Sequence, residues 1–209
     1  MLIVSLNFFI NTIWQITETL KSINLVEYWK SLFWLGYNRK LIVIDYDENL
    51  CRTIKGKAID YFIIMKYGLL LLIFKGFIPS NKLILFIIWY MLLMNIFTYF
   101  YYHVWENRKS NKENSKKRFI NFILSIIYSS FSFMVLYKNY YANDFEFENK
   151  GTSDTIKAFS LSFGTFFNSN NFSPTTDRGY IIFTINCIVN FIFLTFILAN
   201  TNINREEDN

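Results

Sequence analysis

Uncharged apolar runs alternate with polar knots along this chain, and the lengths of the runs sort the elements. Residues 83–104 and 180–204 hold no formally charged residue. Each is long enough to cross a hydrocarbon core of about 30 Å as a helix. Residues 119–137 form a third such run, whose Ser125, Ser129, Ser130 and Ser132 suit close helix packing. Residues 58–78, closed by Pro79, form a fourth, interrupted by Asp60, Lys66 and Lys75. Lys75 can snorkel to the boundary, and Lys66 is read as snorkelling or pairing with Asp60. The short link at 79–82 makes the first two spans a hairpin.

Residues 155–166 (TIKAFSLSFGTF) are apolar enough for three turns of helix but too short to cross. The following FNSNNFSPTT, residues 167–176, is rich in Asn and Ser and contains Pro174, so it cannot continue a helix. Irregular backbone survives at membrane depth only where protein or a water-filled cavity surrounds it. The pattern therefore predicts a helix that enters, stops and turns back before the last span.

Before the first span, residues 1–35 carry Ile13, Trp14, Leu20, Leu25, Trp29, Leu32 and Phe33 on what reads as one apolar face, with Trp14, Trp29 and Trp34 suited to a water–lipid boundary. An interfacial helix is expected there. Residues 39–57 read as a soluble piece with a short strand at 41–44. Asp45, Asp47 and Asn49 echo the opening of a calcium loop, but Leu50 and Gly56 stand where that loop needs Gly and Glu, so a solvated acidic turn is expected.

Charge then fixes orientation. The net charge of +5 lies in the loops, above all in NRKSNKENSKKR, where Arg108, Lys109, Lys112, Lys116, Lys117 and Arg118 cluster. A basic short loop marks the cytoplasmic side. The expected protein is a multi-pass protein of the cell membrane with both termini cytoplasmic, the re-entrant segment entering from outside, and a net acidic outer segment (Asp144, Glu146, Glu148, Asp154) that either concentrates cations at a mouth or is a solvated turret. Neither of the first two spans repeats Arg or Lys at every third position, so no voltage sensor is expected.

Composition agrees with this class: 53% of residues are hydrophobic and 21% aromatic. Cys51 and Cys187 are single thiols, suggesting neither a disulfide framework nor a metal site. His103 with Glu106 cannot complete a metal site, and there is no phosphate-binding glycine loop or nucleophile beside a base, so no enzyme, cofactor or nucleic-acid partner is expected.

The string AFSLSFGTFFNSNNFSPTTDRGYIIFTINCIVNFIFLTFILA, residues 158–199, resembles the pore loop and inner helix of the potassium-channel family, in its small bacterial form, with S-P-T-T-D-x-G at 173–179 as the most family-like piece. The resemblance places the T-V-G-Y-G filter on Phe166, Phe167, Asn168, Ser169 and Asn170, flanked by Thr165 and Asn171, so no filter residue of the signature is retained. Asn stands at both glycine positions and tolerates positive φ, which keeps a similar backbone path open. Loss of the Thr hydroxyl at Phe166 and of the bracing Tyr at Ser169 points away from potassium selectivity.

The resemblance implies an all-α membrane protein with four transmembrane helices and a re-entrant pore helix and loop between the third and fourth. Its parts are an N-terminal segment (1–57), a helical hairpin (58–104), a basic loop (105–118), a pore module (119–204) and a tail (205–209). Asn186, Asn190 and Leu194 are the cavity or hinge candidates, the family's hinge glycine falling on Asn190; the two Asn either line the cavity or bond across helices. The function so implied is a homotetrameric pore for monovalent cations, weakly selective among them. The alternative is a non-conducting membrane subunit or effector that uses a channel-derived fold to bind partners.

Overall fold

The computed structural model describes residues 12, 15, 18–20, 22–38, 48–100, 112–147, 151–167 and 172–206. They are mostly helical: α1 (Leu25–Asn38), α2 (Glu48–Phe74), α3 (Lys82–Phe100), α4 (Lys112–Asn139), α5 (Asp154–Phe167) and α6 (Asp177–Glu206), with strands β1 (Phe145–Phe147) and β2 (Phe172–Pro174). The chain forms two compact units, Met1–Leu69 with Phe97–Asn107, and Leu70–Ile96 with Arg108–Asn209.

Among the described residues three helices, rather than the expected four, are long and apolar enough to cross a membrane: Lys82–Tyr99, Phe119–Asn139 and Asp177–Thr195. α2 falls short because Lys57, Asp60 and Lys66 interrupt its apolar run. It also begins ten residues before the expected start, so 48–57, read as a soluble piece, is helical, Asn49 included; the expected strand at 41–44 and Asp45 and Asp47 lie outside the described residues.

α2 ends at Phe74 rather than at Pro79. Gly76 takes φ 80°, its N–H reaches the Ile73 carbonyl and the Phe77 N–H reaches that of Leu72, each at 3.0 Å. This crossed pair of bonds satisfies the last free carbonyls of the helix, and it needs a residue at ease with positive φ. Asn81 then starts α3, its Oδ1 accepting the Ile84 N–H at 2.9 Å.

The second unit is held at one end by polar ties between helix termini. Lys138 Nζ donates to the Phe74 carbonyl at 3.2 Å and lies 4.0 Å over the Phe74 ring. Tyr140 donates its hydroxyl to the Asn81 carbonyl at 3.1 Å. Burial pushes that phenol above its ordinary range, so it stays a donor at neutral pH.

On α4 the serines expected to favour close packing are buried: Ser125, Ser129, Ser130 and Ser132 are all nearly inaccessible. Asn95 of α3 donates to the Ser125 carbonyl (3.0 Å), the Ser125 hydroxyl (2.8 Å) and the Ser129 hydroxyl (3.1 Å). A single amide of α3 thus joins it to the serine-bearing face of α4. α4 begins at Lys112, so the later part of the basic segment is helix rather than loop; its earlier part lies outside the described residues, as do His103 and Glu106.

The helical expectation has one local departure, in the segment after α4. Read either as a cation-concentrating mouth or as a solvated turret, it folds into a short 3-10 turn (Ala142–Asp144) and β1, which pairs antiparallel with β2 in the register Phe145 to Pro174, Glu146 to Ser173 and Phe147 to Phe172. Alternating Phe and polar residues suit this ladder, because Phe145 goes inward while Glu146 and Ser173 stay exposed.

In the first unit, α1 packs on α2 through Trp29 and Phe33. The Trp29 indole N–H donates to the Ala58 carbonyl at 3.0 Å, its ring lies 6.2 Å from Phe62, and Phe33 stacks on Tyr61 at 5.7 Å. The face expected in this region is therefore divided: Trp29 and Phe33 turn to α2, whereas Leu25 and Leu32 are exposed.

Candidate functional site

The excursion from β1 to β2 is where the chemistry gathers. Phe147 and Phe172 are paired across the ladder, yet 24 residues of chain, numbers 148–171, separate them. The chain therefore leaves one point, forms α5, and returns to that point. α5 has 14 residues, about 21 Å at 1.5 Å per residue, less than a bilayer core.

Its bounds, Asp154–Phe167, match the expected 155–166 within a residue at each end. Ala158, Leu161 and Ser162 form its buried face, while Ile156 and Phe159 are more than half or half exposed. The buried face meets α4 most closely and α6 next.

The return is anchored by the motif at 173–179. The Thr175 N–H donates to the Asp144 carbonyl at 2.9 Å, and the Thr176 hydroxyl donates to the Asp144 carboxylate at 2.6 Å. The same Thr176 oxygen accepts the Gly179 N–H at 3.1 Å, the standard N-cap bond to the third residue of a helix, here α6. A run of edge-to-face and tilted rings continues the anchor inward: Phe183 to Phe172 at 5.6 Å, Phe172 to Phe145 at 6.3 Å and Phe145 to Tyr137 at 5.2 Å. Phe172, the first described residue after the loop, is thereby fixed against β1 and α6.

A second anchor lies at the other end of α5. Asn190 of α6 donates its amide to the Thr165 hydroxyl, which donates in turn to the Ser162 carbonyl at 3.1 Å. One turn earlier, Asn186 donates to the Tyr137 hydroxyl at 3.2 Å and lies 3.5 and 3.4 Å from the carbonyls of Leu161 and Ser162. Both Asn are buried. Of the two uses left open for them, this is bonding across helices; they face α5 and α4 rather than a cavity. Leu194, one turn beyond Asn190, is 41% exposed. The amide oxygens of Asn186 and Asn190 have no hydrogen-bond partner among the described residues.

Of the filter candidates, Thr165 is held as above, and Phe166 and Phe167 are the last residues of α5, with helical backbone. Asn168, Ser169, Asn170 and Asn171 lie outside the described residues. The structure thus places both ends of the candidate loop against α6, one through Thr165 and the other through Phe172.

Sequence reasoning named Asp144 only as an acidic residue of the outer segment and missed its tie to Thr176, and it missed Tyr137, Phe145 and Phe172. A signal existed for one of these contacts: Thr176, directly before an acidic and then apolar run, is the kind of residue that caps a helix, and its cap leaves a hydroxyl to seek Asp144. The other ties depend on residues far apart in the chain. Among the described residues no group of three His, Cys, Asp or Glu could hold a metal. The chain matches no protein-family model, no characterised protein and no solved structure. What fold and site define is a helical protein with three helices fit to cross a membrane and a short helix suspended between the last two.

Proposed function

We propose that this protein is a pore-loop cation channel, in which 148–171 dips into the bilayer and returns, and four copies set their loops around one axis. The observation that carries this reading is the pairing of Phe147 with Phe172 across a chain excursion that holds a helix too short to span. A loop of this kind needs protein around it at membrane depth, and one loop per chain cannot enclose a pore alone.

Two further features support assembly. The outward face of α5 (Ile156, Phe159) and that of α6 (Tyr180, Ile181, Ile188, Phe191) are apolar and unfilled within one chain. Asn168 to Asn171 would present side chains and carbonyls to the ion, and without the family's glycines and tyrosine the filter is wider and admits several monovalent cations. The reading assigns no catalysis.

The test is ion flux through the purified protein in phosphatidylcholine and phosphatidylglycerol vesicles, with bi-ionic reversal potentials. Currents with similar permeability to potassium and sodium are expected. Replacing Asn168 and Asn170 by Gly should change the ratio; an unchanged ratio removes them from the filter. No flux from an intact tetramer would favour a non-conducting membrane subunit instead.

A further inference from the structure

α1 is built inside out for a helix in water. Its exposed large apolar residues are Leu25 (40% exposed), Tyr28 (59%), Leu32 (63%) and Leu35 (58%), at the i, i+3, i+7, i+10 spacing of one helical stripe that the small Ser31 borders. Its charged residues, Glu27 and Lys30, are only 33% and 16% exposed and are paired with each other. An apolar stripe more exposed than the ion pair on the same helix is the reverse of the pattern water selects.

Three observations set the depth of this helix. Asn24 caps it, its Oδ1 accepting the Val26 N–H at 3.1 Å, and its amide donates to the Thr98 hydroxyl at 3.0 Å. Thr98 is one residue short of the end of the apolar stretch Lys82–Tyr99, so α1 begins where that stretch reaches the headgroups. On α2 the contact region carries Lys57 and Asp60, both exposed, which mark the same level. Finally, Trp29 and Phe33 are a full turn apart on α1, yet both rest on the one turn of α2 that holds Ala58, Tyr61 and Phe62. Helices running side by side would have advanced the contact by a turn, so α1 crosses α2. With 14 residues, about 21 Å, it cannot cross the bilayer itself.

We propose that α1 is an in-plane membrane anchor whose Leu25, Tyr28, Leu32 and Leu35 stripe rests in the acyl-chain boundary of the bilayer, while Trp29 and Phe33 tie it to α2. The lipid-facing stripe includes Tyr28 and Leu35 and excludes Trp29 and Phe33. Because Glu27 and Lys30 neutralise each other on the far side, attachment is by apolar contact and needs no anionic lipid. The inference does not depend on conduction.

Nitroxide labels test it on the full chain in phosphatidylcholine bilayers, with Cys51→Ser and Cys187→Ser as background and single cysteines at Tyr28, Leu32 and, as a water-facing control, the exposed Asn143. Power saturation should show labels at 28 and 32 several-fold more accessible to oxygen, relative to a water-soluble nickel chelate, than the label at 143. A ratio equal to that at 143 would put the stripe in water and overturn the proposal. Exclusion of both reagents at 28 and 32 would put it under protein, such as a second copy, and overturn it equally.

Discussion

A Cβ placed on Gly179 would lie 2.5 Å from the carbonyl oxygen of Asp144, the oxygen that accepts the Thr175 N–H. No side chain fits there without pushing β2 and the start of α6 away from the end of the 3-10 turn. Gly179→Ala is expected to lower stability by about 1–3 kcal/mol, the usual cost of forcing extra volume into a packed site. The loss should appear as a fall in thermal midpoint in detergent, whereas Ser173→Ala, in the same motif and exposed, should leave it nearly unchanged.

Asn190 and Thr165 form a pair whose two members depend on it unequally. The Asn190 amide oxygen lacks a partner among the described residues, and Thr165 still holds the Ser162 carbonyl without Asn190. Thr165→Val is expected to cost about 1–3 kcal/mol, since it takes the acceptor from the buried Asn190 amide, whereas Asn190→Leu should cost less because Thr165 keeps the Ser162 carbonyl. The double substitution should cost less than the sum, with a coupling of about 0.5–3 kcal/mol in the double-mutant cycle. Additive losses would mean that the bond does not form in the membrane.

How far the sequence spoke for this site follows from the range of its interactions. The bounds of α5 are set by local chemistry, an apolar run closed by Asn and Ser, and these were legible to within a residue. The split of the apolar residues of α1 into two faces was not, because Trp29 and Leu32 look alike as apolar residues until α2 claims one of them. The start of α2 was misplaced for a related reason: the charges of 48–57 suggested solvent, but charged residues with good helix propensity extend a helix beyond its apolar part. The β1–β2 ladder joins residues 145–147 to 172–174 through pairings that no periodicity within either triplet announces. The Asn residues were singled out correctly as a helical pair, and only the position of α5 decided which of their two uses applied.

Asn95 is a sharper case of a polar residue inside an apolar span. Its amide reaches three acceptors on α4, so Asn95→Leu should loosen α3 from α4. Bonds of this kind between membrane helices average about 0.6 kcal/mol and reach about 1.7, because the separated helices find other partners. A modest fall in resistance to denaturing detergent is therefore expected, smaller than that of Gly179→Ala. A larger loss would mean that Asn95 does more than join two helices.

The re-entrant reading makes a demand on sidedness that can be met or refused outright. Asn143 precedes β1, Ser173 lies in β2, and both are exposed. If 148–171 enters and leaves by the same face of the bilayer, cysteines at these two positions must react with a membrane-impermeant maleimide from the same side of intact cells. A cysteine at Ser110, in the basic segment between α3 and α4, should react only after the membrane is opened, because basic loops are retained in the cytoplasm. Labelling of 143 and 173 from opposite sides would make α5 and its loop a crossing segment, and a crossing segment of that length has no place in a bilayer of ordinary thickness. That outcome would remove the pore reading while leaving the proposal for α1 standing, since the depth of α1 rests on Asn24, Thr98 and α2 alone.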